Sequence, residues 1–445
     1  MKAFELIYSQ RDKVPVYHYP IPVNSADNEF KDGTFLQNIK TQNVVNAEGS
    51  NLYVHFPFCK SLCSFCPFTK WEGNDKKIKE YLKYLKKEIK IYSDMPGIKN
   101  MKFSAVYLGG GTPSLLSGDQ LEDILDTLRK AFFITDDAEI TVEGSPSSFS
   151  AEKFKQLKEA GVKRISMGVQ TLNEERSKMI GLPQAPETSK ERIKEAINAG
   201  FYTVSADLIY NLPGQTLEEF MEDVKEAVGL GLQQLTLFPL EVSSNTPLAA
   251  KLKSGKLPQI KDPKEEYLYY SAAADFLSEN GFIQLTNVDW VREKDQFNYS
   301  VQHFVKGAEI LGLGVGAFGE VQGYAYCNTG NLEEYYSDID IDHLPIKKIA
   351  SVEKERLYKY IVLGLRGLHI SEEDFRNKFG VSMYEMFSKQ IEKAVECGLV
   401  VRTVSGLSVT GLGAFYLNDL SKEFMSKLYE NVNMAAYAVE SICMD

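Results

Sequence analysis

Between about residue 50 and residue 240, short apolar runs alternate with longer stretches in which apolar residues recur every three or four positions. The runs are nearly continuous, which is typical of strands covered on both faces, and the periodic stretches are typical of amphipathic helices. The pattern predicts six strands, over 51–56, 105–110, 139–144, 164–169, 205–210 and 235–240. It predicts five helices between them, over 76–92, 118–132, 150–160, 188–199 and 217–229.

Several residues mark the ends of these helices. Thr216 and Glu219 have the spacing of a capping box, and Ser150 precedes another predicted helix. A glycine follows three of the predicted helix ends: Gly161, Gly200 and Gly231. Successive β/α units with right-handed crossovers predict a parallel sheet, open or curled into a partial barrel. A complete barrel of eight units is the alternative, but only six clear units are present.

The remaining chain has a different character. Residues 1–50 contain several prolines and little periodicity, which predicts an irregular N-terminal arm. Residues 241–350 contain a predicted helix over 265–280, polar loops and a Gly-rich run at 311–320. We interpret this region as a cap or linker that completes the functional site of the preceding domain. Residues 351–445 are mostly helical, with short strand patterns at 398–403 and 406–409, which suggests a winged-helix-like domain. The predicted fold is therefore α/β: an arm, a partial (β/α)6 barrel over 51–240, a cap and a C-terminal helical domain.

Composition narrows the functional classes. Lys and Arg number 50 against 61 Asp and Glu, a net charge of −11 that disfavours binding to nucleic-acid phosphates. No stretch approaches 18 uncharged apolar residues, so no membrane span is predicted. The opening MKAFELIYSQRDK carries charges where a secretory signal would be apolar, which indicates a cytoplasmic protein.

Three of the six cysteines are clustered, while Cys327, Cys397 and Cys443 are scattered. Cys59, Cys63 and Cys66 directly follow the first predicted strand, where the active sites of barrel folds lie. Three thiolates this close can bind one soft metal centre. A structural zinc ion would need a fourth ligand, for which only the neighbouring His55 is a candidate. A [4Fe–4S] cluster held by three cysteines would instead leave one iron open to a substrate or cofactor. Three packed thiols without a metal are the remaining alternative.

The spacing Cys59-x3-Cys63-x2-Cys66 resembles the signature of radical S-adenosylmethionine (SAM) enzymes. Further segments resemble the HemN-like subgroup: YVHFPFC, GGGTPS at 109–114, EITVEGSP, RISMGVQTLN and DLIYNLPGQT. That subgroup contains oxygen-independent coproporphyrinogen III dehydrogenase, HemW haem chaperones, anaerobic haem-degrading methyltransferases and natural-product C-methylases and cyclopropanases. The resemblance extends over about residues 15 to 430.

The resemblance implies a [4Fe–4S] cluster on the three cysteines, whose open iron chelates SAM, and a second SAM nearby. It assigns to SAM binding the residues Gly109, Gly110, Gly111, Thr112, Glu143, Gln170, Asp207 and Phe318. Tyr53, His55 and Glu143 are the catalytic candidates. The alternative for His55 is a packed, hydrogen-bonded side chain, and the alternative for Glu143 is a carboxylate that is simply solvated. The chemistry further implies an electron donor such as flavodoxin or ferredoxin.

Two positions depart from the pattern. Phe68 stands where the coproporphyrinogen dehydrogenase has a further cysteine, and Leu182 stands twelve positions beyond Gln170, where the family commonly has an arginine. The leading hypothesis is therefore a C-methyltransferase that uses two SAM molecules on a tetrapyrrole such as haem, or on an unsaturated natural product. The alternatives are oxidative decarboxylation of coproporphyrinogen III and a haem chaperone without turnover.

Overall fold

The computed structural model describes residues 11–429 apart from 14, 26–33, 42–48 and 69. It confirms the six predicted strands, which pair in chain order and in parallel. Their bounds are β1 Ser50–Phe56, β2 Lys102–Gly110, β3 Phe133–Gly144, β4 Arg164–Gln170, β5 Thr203–Tyr210 and β6 Gln234–Pro239. Their side chains are mostly buried, as the continuous apolar runs required.

The five predicted helices are also confirmed. The helices of this region are Asp75–Ser93, Pro96–Lys99, Gly118–Ala131, Ala151–Glu159, Glu174–Ile180, Pro186–Asn198 and Leu217–Gly229, with 3₁₀ turns at Pro113–Leu115 and Pro146–Ser148. The Thr216 hydroxyl accepts from the Glu219 N–H and the Glu219 carboxylate accepts from the Thr216 N–H, so the capping box is complete. The periodicity missed Glu174–Ile180, because a helix of seven residues is too short for a periodic signal.

The region 241–350 extends the sheet, which differs from its interpretation as a cap or linker. It contributes β7 Ile283–Gln284, β8 Asp289–Val291, β9 Ile310–Leu313, β10 Phe318–Val321, β11 Tyr324–Asn328 and β12 Ile346–Ser351. The order across the sheet is Asn24–Ser25, β12, β11, β10, β9, β1, β2, β3, β4, β5, β6, β8, β7. Strand β9 lies parallel to β1, and the strands beyond it are antiparallel. The remaining helices here are Pro247–Lys253, Pro263–Glu279, Asn298–Ser300, the π-helical Val301–Val305 and Leu332–Asp340.

Close backbone approach explains why the Gly-rich run did not look like strands. A Cβ on Gly312 would lie 2.0 Å from the carbonyl oxygen of Phe318, and one on Gly319 would lie 2.2 Å from the ring of Tyr326. These positions of β9 and β10 exclude side chains, so the alternation that identifies a strand is absent from the sequence. The domain boundaries at 240 and 350 stay a prediction.

The N-terminal arm joins the barrel to the C-terminal domain, and its described part includes the helix Thr34–Thr41. The guanidinium of Arg11 lies 3.9 Å from the ring centre of Phe415 and 3.3 Å from the carboxylate of Glu266. Val16, Tyr19 and Ile21 are buried in the main core. The arm is therefore packed along its described length, although little of it is regular.

The C-terminal domain is mostly helical with a small antiparallel sheet, as predicted. Its helices are Arg356–Gly364, Glu372–Phe379, Met383–Met386, Ser388–Glu396, Gly411–Phe415 and Leu417–Glu423, with 3₁₀ turns at Glu353–Glu355, Leu365–Gly367 and Lys427–Tyr429. The sheet contains β13 His369–Ser371, β14 Val400–Arg402 and β15 Gly406–Val409, with β15 in the middle. The sequence pattern missed the three-residue β13. Cys397 is buried in this domain, and Cys443 lies outside the described residues.

Candidate iron–sulfur and SAM site

Backbone hydrogen bonds close the cysteine loop at its base. The segment Phe58–Cys59 pairs in parallel with Trp71–Glu72. The Gly73 N–H donates to the Cys59 carbonyl at 3.0 Å, and the Cys66 N–H donates to the Cys63 carbonyl at 3.4 Å. Both ends of the loop are thus held together just beyond β1, and all three cysteines are partly exposed.

A second set of contacts holds the middle of the loop. The Ser64 hydroxyl donates to the Ile180 carbonyl at 2.7 Å, and the Leu248 N–H donates to the Ser64 carbonyl at 3.0 Å. Phe65 packs against the apolar cluster that contains Ile180 and Leu248. Leu182 packs against the same cluster, so the position where the family commonly has an arginine makes an apolar contact here.

The three thiols are electrostatically coupled. Burial, together with the charges of Cys66 and Cys59, raises the pKa of Cys63 to about 11. Burial also raises the pKa of Cys59, while a hydrogen bond from Thr112, at 3.4 Å, lowers it. Three thiolates on one loop repel each other, so a positively charged centre between them would stabilise all three.

The donor set fits an iron–sulfur cluster better than a single ion. Among the described residues, no group of three or more His, Cys, Asp or Glu side chains is arranged to hold one metal ion. A tetrahedral zinc ion holds its sulfurs about 2.3 Å from one centre, whereas a cluster of several irons spreads its cysteine ligands further apart. Three soft sulfur donors on a closed loop, with no fourth cysteine in that loop, match a cluster with an open position.

The glycine run packs directly beneath the cysteine loop. A Cβ on Gly111 would lie 2.8 Å from the Phe58 carbonyl oxygen, and the Gly111 N–H donates to the Phe56 carbonyl at 2.7 Å. Gly110 has a φ of +112°, and a Cβ there would lie 2.8 Å from the His55 ring. Glycine is therefore required here by protein contacts, and contact of these residues with SAM stays a prediction.

The catalytic candidates lie in two linked hydrogen-bonded pairs. The Tyr53 hydroxyl lies 3.1 Å from Nδ1 of His55, and the Tyr107 hydroxyl donates to Oε1 of Glu143 at 2.8 Å. The Tyr53 and Tyr107 rings stack with centroids 6.2 Å apart. The Gly110 N–H donates to Oε2 of Glu143 at 3.2 Å, which connects this network to the glycine run. Sequence reasoning missed Tyr107, although it precedes Gly109 by two positions and so shares its face of β2.

Asp207 and Gln170 lie on the neighbouring strands at the same edge of the sheet. Burial raises the pKa of Asp207 to about 8, with a further contribution from the charge of Glu143. The charge of Arg164 lowers the pKa of both Asp207 and Glu143. The Arg164 guanidinium lies 4.0 Å from the ring centre of Phe297. Gln170 ends β4 with a φ of +68°, a backbone conformation that non-glycine residues rarely adopt. The structure therefore brings Glu143 close enough to Asp207 for its charge to raise the pKa of Asp207.

Phe318 lies on β10, two strands away from β1, and is 9% exposed. Its ring stacks on that of His18 in the arm, with centroids 3.7 Å apart, and the His18 ring lies 5.4 Å from that of His303. Burial lowers the pKa of His303 to about 4 and that of His18 well below its usual value, so both rings are neutral at physiological pH. The contact with the arm was not predicted, and a role for Phe318 in a second SAM site stays a prediction.

Family models match both parts of the chain. That of the radical SAM superfamily matches residues 53–227, and that of the HemN C-terminal domain matches residues 353–416. Anaerobilin synthase of Escherichia coli O157:H7 is 32% identical over 302 residues, which are 67% of each chain. The heme chaperone HemW of Bacillus subtilis is 28% identical over 382 residues, 84% of this chain and 99% of that one. The oxygen-independent coproporphyrinogen III oxidase of Helicobacter pylori is 28% identical over 429 residues, 91% and 92% of the two chains.

A solved structure shares the fold. Coproporphyrinogen III oxidase (HemN) from Escherichia coli superimposes with a TM-score of 0.78 over 94% of this chain and 99% of that chain, at 23% identity. Fold, cysteine loop and sequence matches together define a radical SAM protein. The chain belongs to the HemN-like subgroup of that superfamily. Within the described residues, no helix has the length and apolar character needed to cross a membrane.

Proposed function

We propose that this protein reductively cleaves SAM and methylates a carbon of a tetrapyrrole such as haem. The observation that carries the proposal is the position of the cysteine loop. It is closed directly over the Gly109–Thr112 run, and that run is hydrogen-bonded to Glu143. Three cysteines, a glycine run without side chains and a carboxylate thus lie together at the carboxyl ends of β1, β2 and β3, which supports a metal and SAM site there.

We assign each residue a role that its contacts support. Cys59, Cys63 and Cys66 would hold a [4Fe–4S] cluster, which would supply the electron for the reductive cleavage of SAM. Glu143 is held by Tyr107 and Gly110 and would accept hydrogen bonds from the amino group of SAM. Asp207, with a pKa of about 8, is largely protonated at neutral pH and would donate a hydrogen bond.

The relatives support a tetrapyrrole substrate. Their names include a heme chaperone and coproporphyrinogen III oxidases, and the match to the oxidase of Helicobacter pylori spans 91% of this chain. The absence of a further cysteine at Phe68, whose side chain is 62% exposed, favours methyl transfer over oxidative decarboxylation. Methyl transfer with two SAM molecules would consume one for the radical and one as the methyl source.

The test is an anaerobic assay of the reconstituted protein with SAM, dithionite and haem. Methyl transfer yields both 5′-deoxyadenosine and S-adenosylhomocysteine, together with a methylated tetrapyrrole in the mass spectrum. Cys63→Ala should lose the cluster's absorption and both products. The absence of S-adenosylhomocysteine from the active wild type would contradict methyl transfer.

The same preparation separates the alternatives. Loss of two carboxyl groups from coproporphyrinogen III would establish oxidative decarboxylation. Stoichiometric haem transfer to an apoprotein without SAM cleavage would establish a chaperone.

A further inference from the structure

Tyrosine rings form a continuous series where the helix Asp75–Ser93 packs against the helix Leu332–Asp340. The ring centroids of Tyr81 and Tyr335 lie 5.7 Å apart, and those of Tyr335 and Tyr336 lie 6.0 Å apart. The ring of Tyr336 stacks on that of Tyr84, with centroids 4.3 Å apart. We call Tyr81, Tyr335, Tyr336 and Tyr84 the tyrosine chain. Tyr81 and Tyr335 are fully buried and Tyr84 is partly exposed, so the chain leads from the interior to the surface.

The inner end of the tyrosine chain contacts the candidate site. The Tyr81 hydroxyl donates to the His55 carbonyl at 2.6 Å, and Nδ1 of His55 lies 3.1 Å from the Tyr53 hydroxyl. The ring of Phe58, the residue before Cys59, lies perpendicular to that of Tyr81 with centroids 5.7 Å apart. The chain therefore begins against both β1 and the cysteine loop.

Two members of the tyrosine chain have a carboxylate that can accept the phenolic proton. The Tyr335 hydroxyl donates to Oε2 of Glu88 at 2.7 Å, and the Tyr84 hydroxyl donates to Oδ2 of Asp340 at 3.0 Å. Burial raises the pKa of Glu88 to about 7, so this carboxyl is partly ionised at neutral pH. A tyrosine loses an electron readily only when its proton can leave as well, because the oxidised phenol is a strong acid. Tyr335 and Tyr84 are therefore easily oxidised positions.

Tyr336 connects these two positions and has a hydroxyl that packing does not explain. The hydroxyl oxygen is buried and, among the described residues, has no hydrogen-bond partner. An unpaired buried hydroxyl destabilises the folded state, so phenylalanine would pack here at lower cost. A phenol ring is, however, much easier to oxidise than a benzene ring. Electron transfer between Tyr335 and Tyr84 gives the Tyr336 hydroxyl a purpose.

We propose that the tyrosine chain carries single electrons from the surface to the site and thereby quenches carbon radicals that form there without substrate. The inference rests on the proposed function, because reductive cleavage of SAM without a substrate leaves such a radical at the site. The radical takes a hydrogen atom from the Tyr53 hydroxyl and becomes a closed-shell compound with a new C–H bond. Tyr53 then regains an electron through the tyrosine chain and a proton from solvent.

The electron is replaced at the surface by a soluble thiol. Glu88 and Asp340 hold the phenolic protons of Tyr335 and Tyr84 while these residues lack an electron, and return them when the electron arrives. The thiol reduces Tyr84 and releases its proton to solvent. Two thiols thus form one disulfide for every two radicals quenched, which balances electrons and protons.

Light-driven oxidation tests the tyrosine chain without SAM or a cluster. A ruthenium photosensitiser is attached to Cys63, which is partly exposed, in the full chain with Cys59→Ser and Cys66→Ser. Peptide mapping checks the labelled position. A flash in the presence of an electron-accepting quencher then oxidises the protein from the cysteine loop. Transient absorption detects tyrosyl radicals, and a nitroso spin trap followed by peptide mapping locates them.

Tyr336→Phe interrupts the chain and keeps the packed ring. Tyr202→Phe is the matched control, because Tyr202 is a surface tyrosine outside the chain that donates to Asp295 at 2.8 Å, as Tyr84 donates to Asp340. We expect the trap to label Tyr84 in the wild type and in the control, and this label to be lost in Tyr336→Phe. Chemical denaturation should show Tyr336→Phe to be at least as stable as the wild type, which excludes misfolding as the cause.

Three results of this experiment would overturn the proposal. The first is a wild type without the trap on Tyr84, and the second is a Tyr336→Phe variant that keeps the label. The third is labelling of Tyr202 as strong as that of Tyr84, because the oxidation would then not follow the chain.

Cleavage of SAM by the reconstituted protein separates this inference from the proposed function. With dithionite and no substrate, Tyr336→Phe and Tyr84→Phe should lose activity and cluster absorption after fewer turnovers than the wild type, counted as 5′-deoxyadenosine released. Tyr202→Phe should match the wild type. Equal survival of all variants would overturn the quenching role. Labelling of Tyr84 in the light-driven experiment, with no 5′-deoxyadenosine formed here, would instead overturn the proposed function alone.

Discussion

The imidazole ring of His55 occupies the space where a side chain on Gly110 would begin. A Cβ on Gly110 would lie 2.8 Å from both Cε1 and Nδ1 of His55. The two residues belong to adjacent parallel strands, β1 and β2, whose ends carry the cysteine loop and the glycine run. Their contact therefore sets how closely the loop approaches the glycine run, and a packed role for His55 is part of this geometry.

Gly110→Ala should reduce both cluster content and stability. The methyl group would meet the His55 ring, and alanine at a φ of +112° is strained. We expect a loss of about 1–3 kcal/mol in the free energy of unfolding, measured by chemical denaturation, and less iron per chain. The control is Gly229→Ala, in a helix where a Cβ meets nothing within 4 Å. It should be neutral or stabilising by up to about 1 kcal/mol, and wild-type iron content in Gly110→Ala would contradict the prediction.

Tyr107→Phe should weaken the interaction of Glu143 with SAM. The Tyr107 hydroxyl donates to Glu143 and lowers the pKa of that carboxyl, so its removal raises the pKa. We expect SAM affinity to fall about 10-fold or more. The acid limb of the activity profile should also move to higher pH.

Tyr202→Phe is the matched control, because Tyr202 donates to Asp295 at 2.8 Å on an exposed surface. It should change neither SAM affinity nor the pH profile. If Tyr107→Phe leaves both unchanged as well, Glu143 does not act on SAM.

Asp207→Asn should remove part of the dependence of stability on pH. The pKa of Asp207 is raised by burial to about 8 in the folded protein, so the folded state holds this proton more tightly than the unfolded state does. The resulting stabilisation is fully present below about pH 4 and is lost progressively as the pH rises to about 8. Denaturation midpoints of the wild type should therefore fall between about pH 4 and pH 8 more steeply than those of the asparagine variant. Parallel curves would show that Asp207 ionises normally.

Phe65→Ala should release the middle of the cysteine loop. Phe65 packs against the apolar cluster near Ile180 and Leu248, so its truncation should cost about 2 kcal/mol and accelerate loss of the cluster to a chelator. Phe68→Ala is the control in the same loop, because Phe68 is 62% exposed. It should leave stability and the rate of iron loss unchanged, and equal rates of iron loss for the two variants would show that Phe65 does not hold the loop.

Local patterns were sufficient for the barrel. The continuous apolar runs predicted the parallel strands β1 to β6, because a strand buried on both faces must be apolar along its length. Thr216 with Glu219 marked the start of a helix, because their side chains accept hydrogen bonds from backbone N–H groups of the first turn. The glycines after the helices marked helix ends, because glycine tolerates the positive φ found there. The cysteine spacing predicted the site, because three thiols within eight residues can bind one cluster.

Residues joined across long stretches of chain could not be paired from the sequence. Glu143 with Tyr107, Phe318 with His18, and the strands of 241–350 with β1 and β6 come together only when the sheet assembles. In β9 and β10 the close packing selects glycine, which removes the alternation that would reveal a strand. Periodicity and spacing report on neighbours within a few residues, so they specified the barrel elements and the cysteine loop of this protein. The strand order and the carboxylate network follow from packing between distant segments.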